Sequence, residues 1–130
     1  MTLAYLDTSA AMKLLYQEDG ASAMGELFAD PAGPTFVSSW LLHTELHCAA
    51  NRRGGAEVRS ISRVLSGVNL VDLARGHLVS AGALAPLRAQ DAIHLAVALS
   101  LTADQMITYD DELAAAAERA GLLVVSPGIR

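Results

Sequence analysis

One cysteine, Cys48, in 130 residues excludes a disulfide within the chain and any paired-cysteine zinc site. Its expected role is that of a small buried apolar residue in a protein of a reducing compartment. Aromatic residues make up only 5% of a chain that is 52% apolar, so the core must be built from Ala, Leu and Val, which suits helices packed on a buried sheet better than a sandwich. Lysine occurs once, at Lys13, and the net charge is −5, which excludes a surface that attracts nucleic acid everywhere. A local basic stripe is still possible, because Arg52, Arg53, Arg59 and Arg63 fall within twelve positions; the alternative is a solvated helix face. No apolar run reaches the roughly 18 residues of a membrane span. Met1-Thr2-Leu3 leads almost directly to Asp7, without the basic region and apolar core of a signal peptide. A soluble cytoplasmic protein with no membrane partner is expected.

What is present alternates. Leu3-Ala4-Tyr5-Leu6 reads as a strand ending at Asp7, and Thr8-Ser9 offer capping side chains to a helix over 10–15. A helix over 21–28 stops at Asp30-Pro31-Ala32-Gly33-Pro34, a strand follows over 35–37, and Ser38-Ser39 can cap a long helix over 40–53. Gly54-Gly55 breaks that helix, and Val58, Ile61, Val64 and Leu65 place an apolar stripe on the next. The remaining pattern predicts a strand over 69–73, a weaker helix over 76–84, a strong helix over 90–101, a strand over 105–108, a helix over 111–120 and a strand over 122–125. A parallel sheet of four to five strands covered on both faces accounts for this order, with ligands expected outside the carboxyl ends of the strands. At 130 residues one domain, 1–130, is expected to span the chain and to bury about two-thirds of its unfolded surface.

Asp7, Glu45, Asp91 and Asp110 are far apart in sequence; Asp7 and Asp110 stand just past strand ends, Asp91 in the first turn of a helix and Glu45 within one. Two like charges about 4 Å apart repel by roughly 4 kcal/mol at an effective dielectric of about 20, so four converging carboxylates require cations or protons. A hard divalent ion, Mg2+ or Mn2+, suits an all-oxygen donor set, and its bound water is a nucleophile for a phosphodiester. Singly, three of the acids have plainer roles: Asp7 and Asp110 can cap helices, and Asp91 favours a helix N-terminus through the dipole. Glu45 sits mid-helix, where capping explains nothing. His43 and His47 share a helix face that Glu45, about 200° from His43, does not, which argues against a zinc site and for packing or surface roles. His94 shares a face with Asp91, within reach of the acids or a phosphate, with an ordinary core histidine as the favoured reading. Ser9 has no acid–base partners of a nucleophile; a cap or a bond to Asp7 suits it better.

The stretches Tyr5-Leu6-Asp7-Thr8-Ser9-Ala10, Glu45 in its helix, Leu87-Arg88-Ala89-Gln90-Asp91-Ala92-Ile93-His94-Leu95-Ala96, and Ile107-Thr108-Tyr109-Asp110 together resemble a PIN domain of the VapC toxin type, nearly end to end. The resemblance implies a three-layer α/β/α fold with strand order 3-2-1-4-5. It also implies a metal-dependent endoribonuclease of a toxin–antitoxin module that cuts RNA, tRNA or rRNA, with a VapB-type antitoxin and a homodimer as further expectations. By the same resemblance Asp7, Glu45, Asp91 and Asp110 are catalytic and metal-binding, Ser9 and Thr108 line the pocket, and Arg52 is a basic residue on the substrate side. Asp111 follows Asp110, so one of the pair can face the metal while the other caps; alignment of the Thr-Tyr-Asp stretch points to Asp110.

Two other readings compete. A degenerate PIN-like module would bind protein or RNA without cutting it. A phosphatase or phosphotransfer α/β domain would want a second acid two residues after Asp7, where Ser9 stands, or a lysine after the last strand, where there is none.

Overall fold

The alternation of strands and helices is realised as a single five-stranded parallel sheet in a computed structural model that describes residues 1–129. In chain order the elements are β1 (Leu3–Leu6), α1 (Thr8–Met12), α2 (Ala21–Ala29), β2 (Thr35–Ser39), α3 (Trp40–Arg53), α4 (Val58–Ser66), β3 (Asn69–Val71), α5 (Arg75–Ala81), α6 (Ala89–Ser100), β4 (Gln105–Ile107), α7 (Asp111–Arg119) and β5 (Leu123–Val125). The strand order is β3-β2-β1-β4-β5, and every neighbouring pair is parallel.

Strand periodicity explains why both faces are covered. Successive side chains point to opposite sides of a sheet, so Ala4 and Leu6, with Phe36 and Ile107, enter one core with Met24 of α2, Leu42 and Leu46 of α3 and Ile61 of α4. Tyr5, Val37 and Met106 point the other way, into a second core with Leu95 and Val97 of α6 and Leu113 and Ala117 of α7. α5 packs outside α6 through Ala81, Ala92 and Ala96, and small residues there allow close approach.

Several boundaries differ from the sequence expectation. β2 runs on to Ser39 rather than 37, and α5 ends at Ala81 rather than 84 because Ala83 N and Leu84 N donate three residues back. Three further boundaries move for physical reasons. α1 starts at Thr8 because the Asp7 carboxylate, not Thr8 or Ser9, caps it by accepting from Ala10 N. Beyond Met12 the chain tightens: Lys13 N and Leu14 N donate three residues back, to Ala10 O and Ala11 O, so the expected helix to 15 finishes as tight turns. β3 ends at Val71 rather than 73 because its ladder partner is Ser39, the last residue of β2, after which the neighbouring chain becomes α3 and offers nothing to pair with. Ser39 caps α3 through Leu41 N, while Ser38 is drawn away to donate across the sheet to Leu6 O at 2.7 Å.

The pairing Leu6↔Ile107 fixes what comes next. One residue beyond that register pair, Asp7 and Thr108 emerge side by side at the carboxyl edge of the sheet.

Candidate active site

Asp7 is 3% exposed, and every route from its carboxylate leads to a donor. Thr108 Oγ1 donates to Oδ2 at 2.6 Å, Ser9 Oγ donates to Oδ1 at 2.8 Å, and Ala10 N donates to Oδ1 at 3.0 Å. Burial pushes this carboxyl above its ordinary value, and the Thr108 hydroxyl, the His94 charge and the Ala10 and Ser9 donors act against it. Ser9 and Thr108 thus hold the first acid, and their own oxygens are held in turn by Tyr109 N and Asp110 N.

Glu45 enters from α3. Its Oε1 accepts from Thr8 Oγ1 at 2.9 Å and lies 2.6 Å from His94 Nε2. Burial would raise this carboxyl, yet the His94 hydrogen bond and charge, joined by Thr8, outweigh it and hold Glu45 below its usual range. His94 is therefore not the ordinary core histidine the sequence favoured. Thr8, read as a cap, has the same correction: Asp7 does the capping and frees the Thr8 hydroxyl for Glu45. Neither contact has a local signature, since both need α3 to lie against the start of α1 and the side of α6.

Asp91, in the first turn of α6, is half-buried and, among the described residues, accepts no hydrogen bond on its carboxylate. It is pushed up to about 6 by burial first, then by the charges of Asp110 and Asp7, with Glu45 adding to them and only His94 opposing. Four acids remote in sequence therefore share one field. Asp110 caps α7 by accepting from Leu113 N at 2.8 Å, in the extended backbone conformation of a cap, while Asp111 is exposed in the first turn. The Asp110 charge has the largest effect on Asp91 of the other acids' charges, second only to burial.

A cavity of about 380 Å³ opens beside Glu45, lined among others by Thr8, Leu41, Thr44, Arg52 and Gln90. Arg52 is exposed there, whereas Arg53 is taken up by Glu18 at 2.9 Å and by the Tyr16 ring beneath its guanidinium. Arg59 and Arg63 lie exposed on α4, so the basic stripe divides, and of its four arginines Arg52 alone lines the cavity beside Glu45. Cys48, expected to be buried, is exposed and lines the same cavity: Leu42, Leu46 and Ala50 form the buried face of α3, and Cys48 falls with Glu45 and Arg52 on another. His43 and His47 pack ring to ring, centroids 4.6 Å apart, with Trp40 against His43.

Among the described residues no three histidine, cysteine, aspartate or glutamate side chains are already gathered into a coordination shell. Asp7 and Glu45 are instead turned toward hydroxyls and His94, and uncompensated carboxylates repel one another. The donor chemistry nevertheless fits a hard divalent cation: the set is all oxygen, and Asp91 carries a charge that its surroundings oppose rather than match.

Residues 4–119 match the PIN domain family. Ribonuclease VapC46 of Mycobacterium tuberculosis (strain ATCC 25618 / H37Rv) is 35% identical over 131 residues, covering 98% of this chain and 99% of the relative. Among solved structures, the sarcin-ricin loop cleaving toxin VapC20 of Mycobacterium tuberculosis superposes with a TM-score of 0.72 at 20% identity, over 95% of this chain and 99% of that one. A toxin–antitoxin complex from Klebsiella pneumoniae gives a TM-score of 0.67 at 24% identity, over 95% and 97%. The structural likenesses bear on the fold, and the full-length sequence likeness bears on the family.

Proposed function

The chain belongs to the PIN domain family, and from that premise we propose that it is a divalent-metal-dependent endoribonuclease, the toxin of a toxin–antitoxin pair. The observation that carries the reading is the gathering of Asp7, Glu45, Asp91 and Asp110, remote in sequence, at one edge of the sheet, where the charges of Asp110, Asp7 and Glu45 all act on the Asp91 carboxyl. A rim that repels its own member has a use for a cation. Asp7, Glu45, Asp91 and Asp110 would hold it, with Mg2+ or Mn2+ the fitting ions. Such an ion, when bound, supplies positive charge to the phosphodiester and water acidic enough to attack near neutral pH.

The remaining work falls to the chain. Thr108 and Ser9 keep the Asp7 carboxylate aimed and satisfied in a buried place. Arg52, which lines the same cavity as Glu45, offers a guanidinium fork to a phosphate and so holds the RNA backbone without reading bases. With a net charge of −5 and an acidic rim, the metal-free site repels RNA, so binding and cleavage rise together with cation uptake.

The relative VapC46 is named a ribonuclease and VapC20 cleaves the sarcin-ricin loop; for this chain a tRNA or rRNA target is the corresponding proposal. The neighbouring toxin–antitoxin complex supports an antitoxin partner; a VapB-type antitoxin that sets a basic residue into the acidic rim is the corresponding proposal. A homodimer acting in the cytoplasm completes the proposal; among the described residues no helix is long and apolar enough to cross a membrane.

The test is cleavage of RNA by the purified protein with Mg2+ or Mn2+. Chelator should stop it, and Asp7→Asn should remove turnover while the unfolding transition persists. Full turnover in Asp7→Asn would overturn the reading, and cation-independent RNA or protein binding without cleavage would leave a binding module in its place.

A further inference from the structure

Tyr5 is fully buried and His94 is 1% exposed, among Leu95, Val97 and Ala98 of α6. A polar chain in an apolar core has a desolvation cost that an apolar side chain at position 94 would avoid, so its presence calls for a return. The Tyr5 hydroxyl lies 2.7 Å from His94 Nδ1, and His94 Nε2 lies 2.6 Å from Glu45 Oε1. A carboxylate only accepts, so Nε2 carries a hydrogen and donates; in the neutral ring Nδ1 then accepts from the Tyr5 hydroxyl. Thr8 donates to the same Glu45 oxygen. Both bonds to Glu45 thus fall on Oε1, and among the described residues none falls on Oε2.

The chain also links the elements that carry the acids. Tyr5 is two residues before Asp7 on the β1 side, His94 is one helical turn after Asp91 on α6, and Glu45 projects from α3. A free glutamate side chain on a helix loses rotamer entropy when a ligand fixes it. Two donors on one oxygen fix it beforehand.

We propose that Tyr5 and His94 are positioning residues: they lock Glu45 through Oε1, so that Oε2 is presented to the acidic rim and the spacing of Glu45 from Asp7 and Asp91 is set before a cation arrives. This rests on the cation-binding function proposed above. His94 touches neither RNA nor the reacting phosphate and acts only through Glu45.

The experiment is calorimetric titration of Mn2+ into the intact protein without RNA, with an unfolding scan of each variant. His94→Leu should weaken uptake about tenfold to a hundredfold, the usual consequence of removing a partner that orients a metal ligand. His94→Gln, which keeps a donor, should recover most of the loss, and Tyr5→Phe should cost about threefold to tenfold. In a Glu45→Ala background His94→Leu should add nothing. Wild-type affinity in folded His94→Leu overturns the inference, as does an equal loss from His94→Leu when Glu45 is already absent. Where leucine unfolds the protein, Tyr5→Phe carries the test, and wild-type affinity there overturns the chain. A wild-type protein that takes up no Mn2+ overturns the proposed function and this inference with it; uptake by the wild type that His94→Leu matches overturns the inference alone.

Discussion

The two halves of the acidic rim are built differently. Around Asp7 and Glu45 the protein supplies three hydroxyls, a backbone N–H and an imidazole, so each carboxylate has its partners in place. Around Asp91 it supplies burial and the charges of other acids, with only the His94 charge opposing them. The first half is satisfied by the chain and the second is left for something positive. On the proposed function, the difference separates folding from catalysis within one site: the dressed acids are part of how the sheet edge is held, and the undressed one stands at an electrostatic cost.

The comparison breaks first at Asp91 itself. Asp91→Asn should lower RNA cleavage at least about a hundredfold, as loss of a ligand should, measured as kcat/KM with saturating Mg2+. The same variant should be more stable than the wild type without metal. The folded carboxyl titrates at about 6 against an ordinary 3.8, so the folded state holds the proton more tightly. Its favourable contribution is complete below about pH 4 and is lost as pH rises through about 6. After discounting for solvent screening, the gain from Asp91→Asn at pH 7.5 is about 1 kcal/mol, near 4 °C in Tm, and should vanish below pH 4 in scans with chelator. A destabilised Asp91→Asn at pH 7.5 would put both halves of the rim in one class.

Thr108→Val probes the dressed half. It removes the 2.6 Å donor and leaves a buried Asp7 oxygen without it, at a cost of about 1–3 kcal/mol at pH 7. The loss should shrink at low pH, where Asp7 is protonated; denaturant unfolding at two pH values reads it. Unchanged stability would show that Asp7 owes little to its hydroxyls.

Arg52→Ala lies outside both halves and should have the smallest effect. KM for RNA should rise a few-fold with kcat nearly unchanged, and the salt dependence of binding should flatten by about 0.7 in log–log slope, one phosphate contact on a single strand. A fall in kcat instead would bring Arg52 into the reacting geometry.

The strand order and the two-faced core were legible because period-2 runs alternate with amphipathic helices, and the four acids because their neighbours carry recognisable spacing. Single acids were ambiguous for a reason the structure makes plain: capping and site membership are not alternatives. Asp7 caps α1 and Asp110 caps α7, and both belong to the rim. What stayed illegible was partnership across elements. That His94 turns to Glu45, that Thr8 is released from capping, and that Cys48 faces the cavity all depend on how α3 lies against α1 and α6, which no local pattern encodes. Strand ends such as Val71 were equally hidden, being set by where the neighbouring strand stops.

The double duty of Asp7 and Asp110 also governs how this chain can drift. In a lineage released from selection for cutting RNA, replacing Asp110 removes a helix cap, at about 1 kcal/mol, and replacing Asp7 removes another together with a buried network. Replacing Asp91 relieves repulsion instead. On the proposed function, inactive descendants of this sequence should therefore shed Asp91 first and keep Asp7 and Asp110 longest, so that the acid lost at the least structural cost becomes the marker of a retired enzyme.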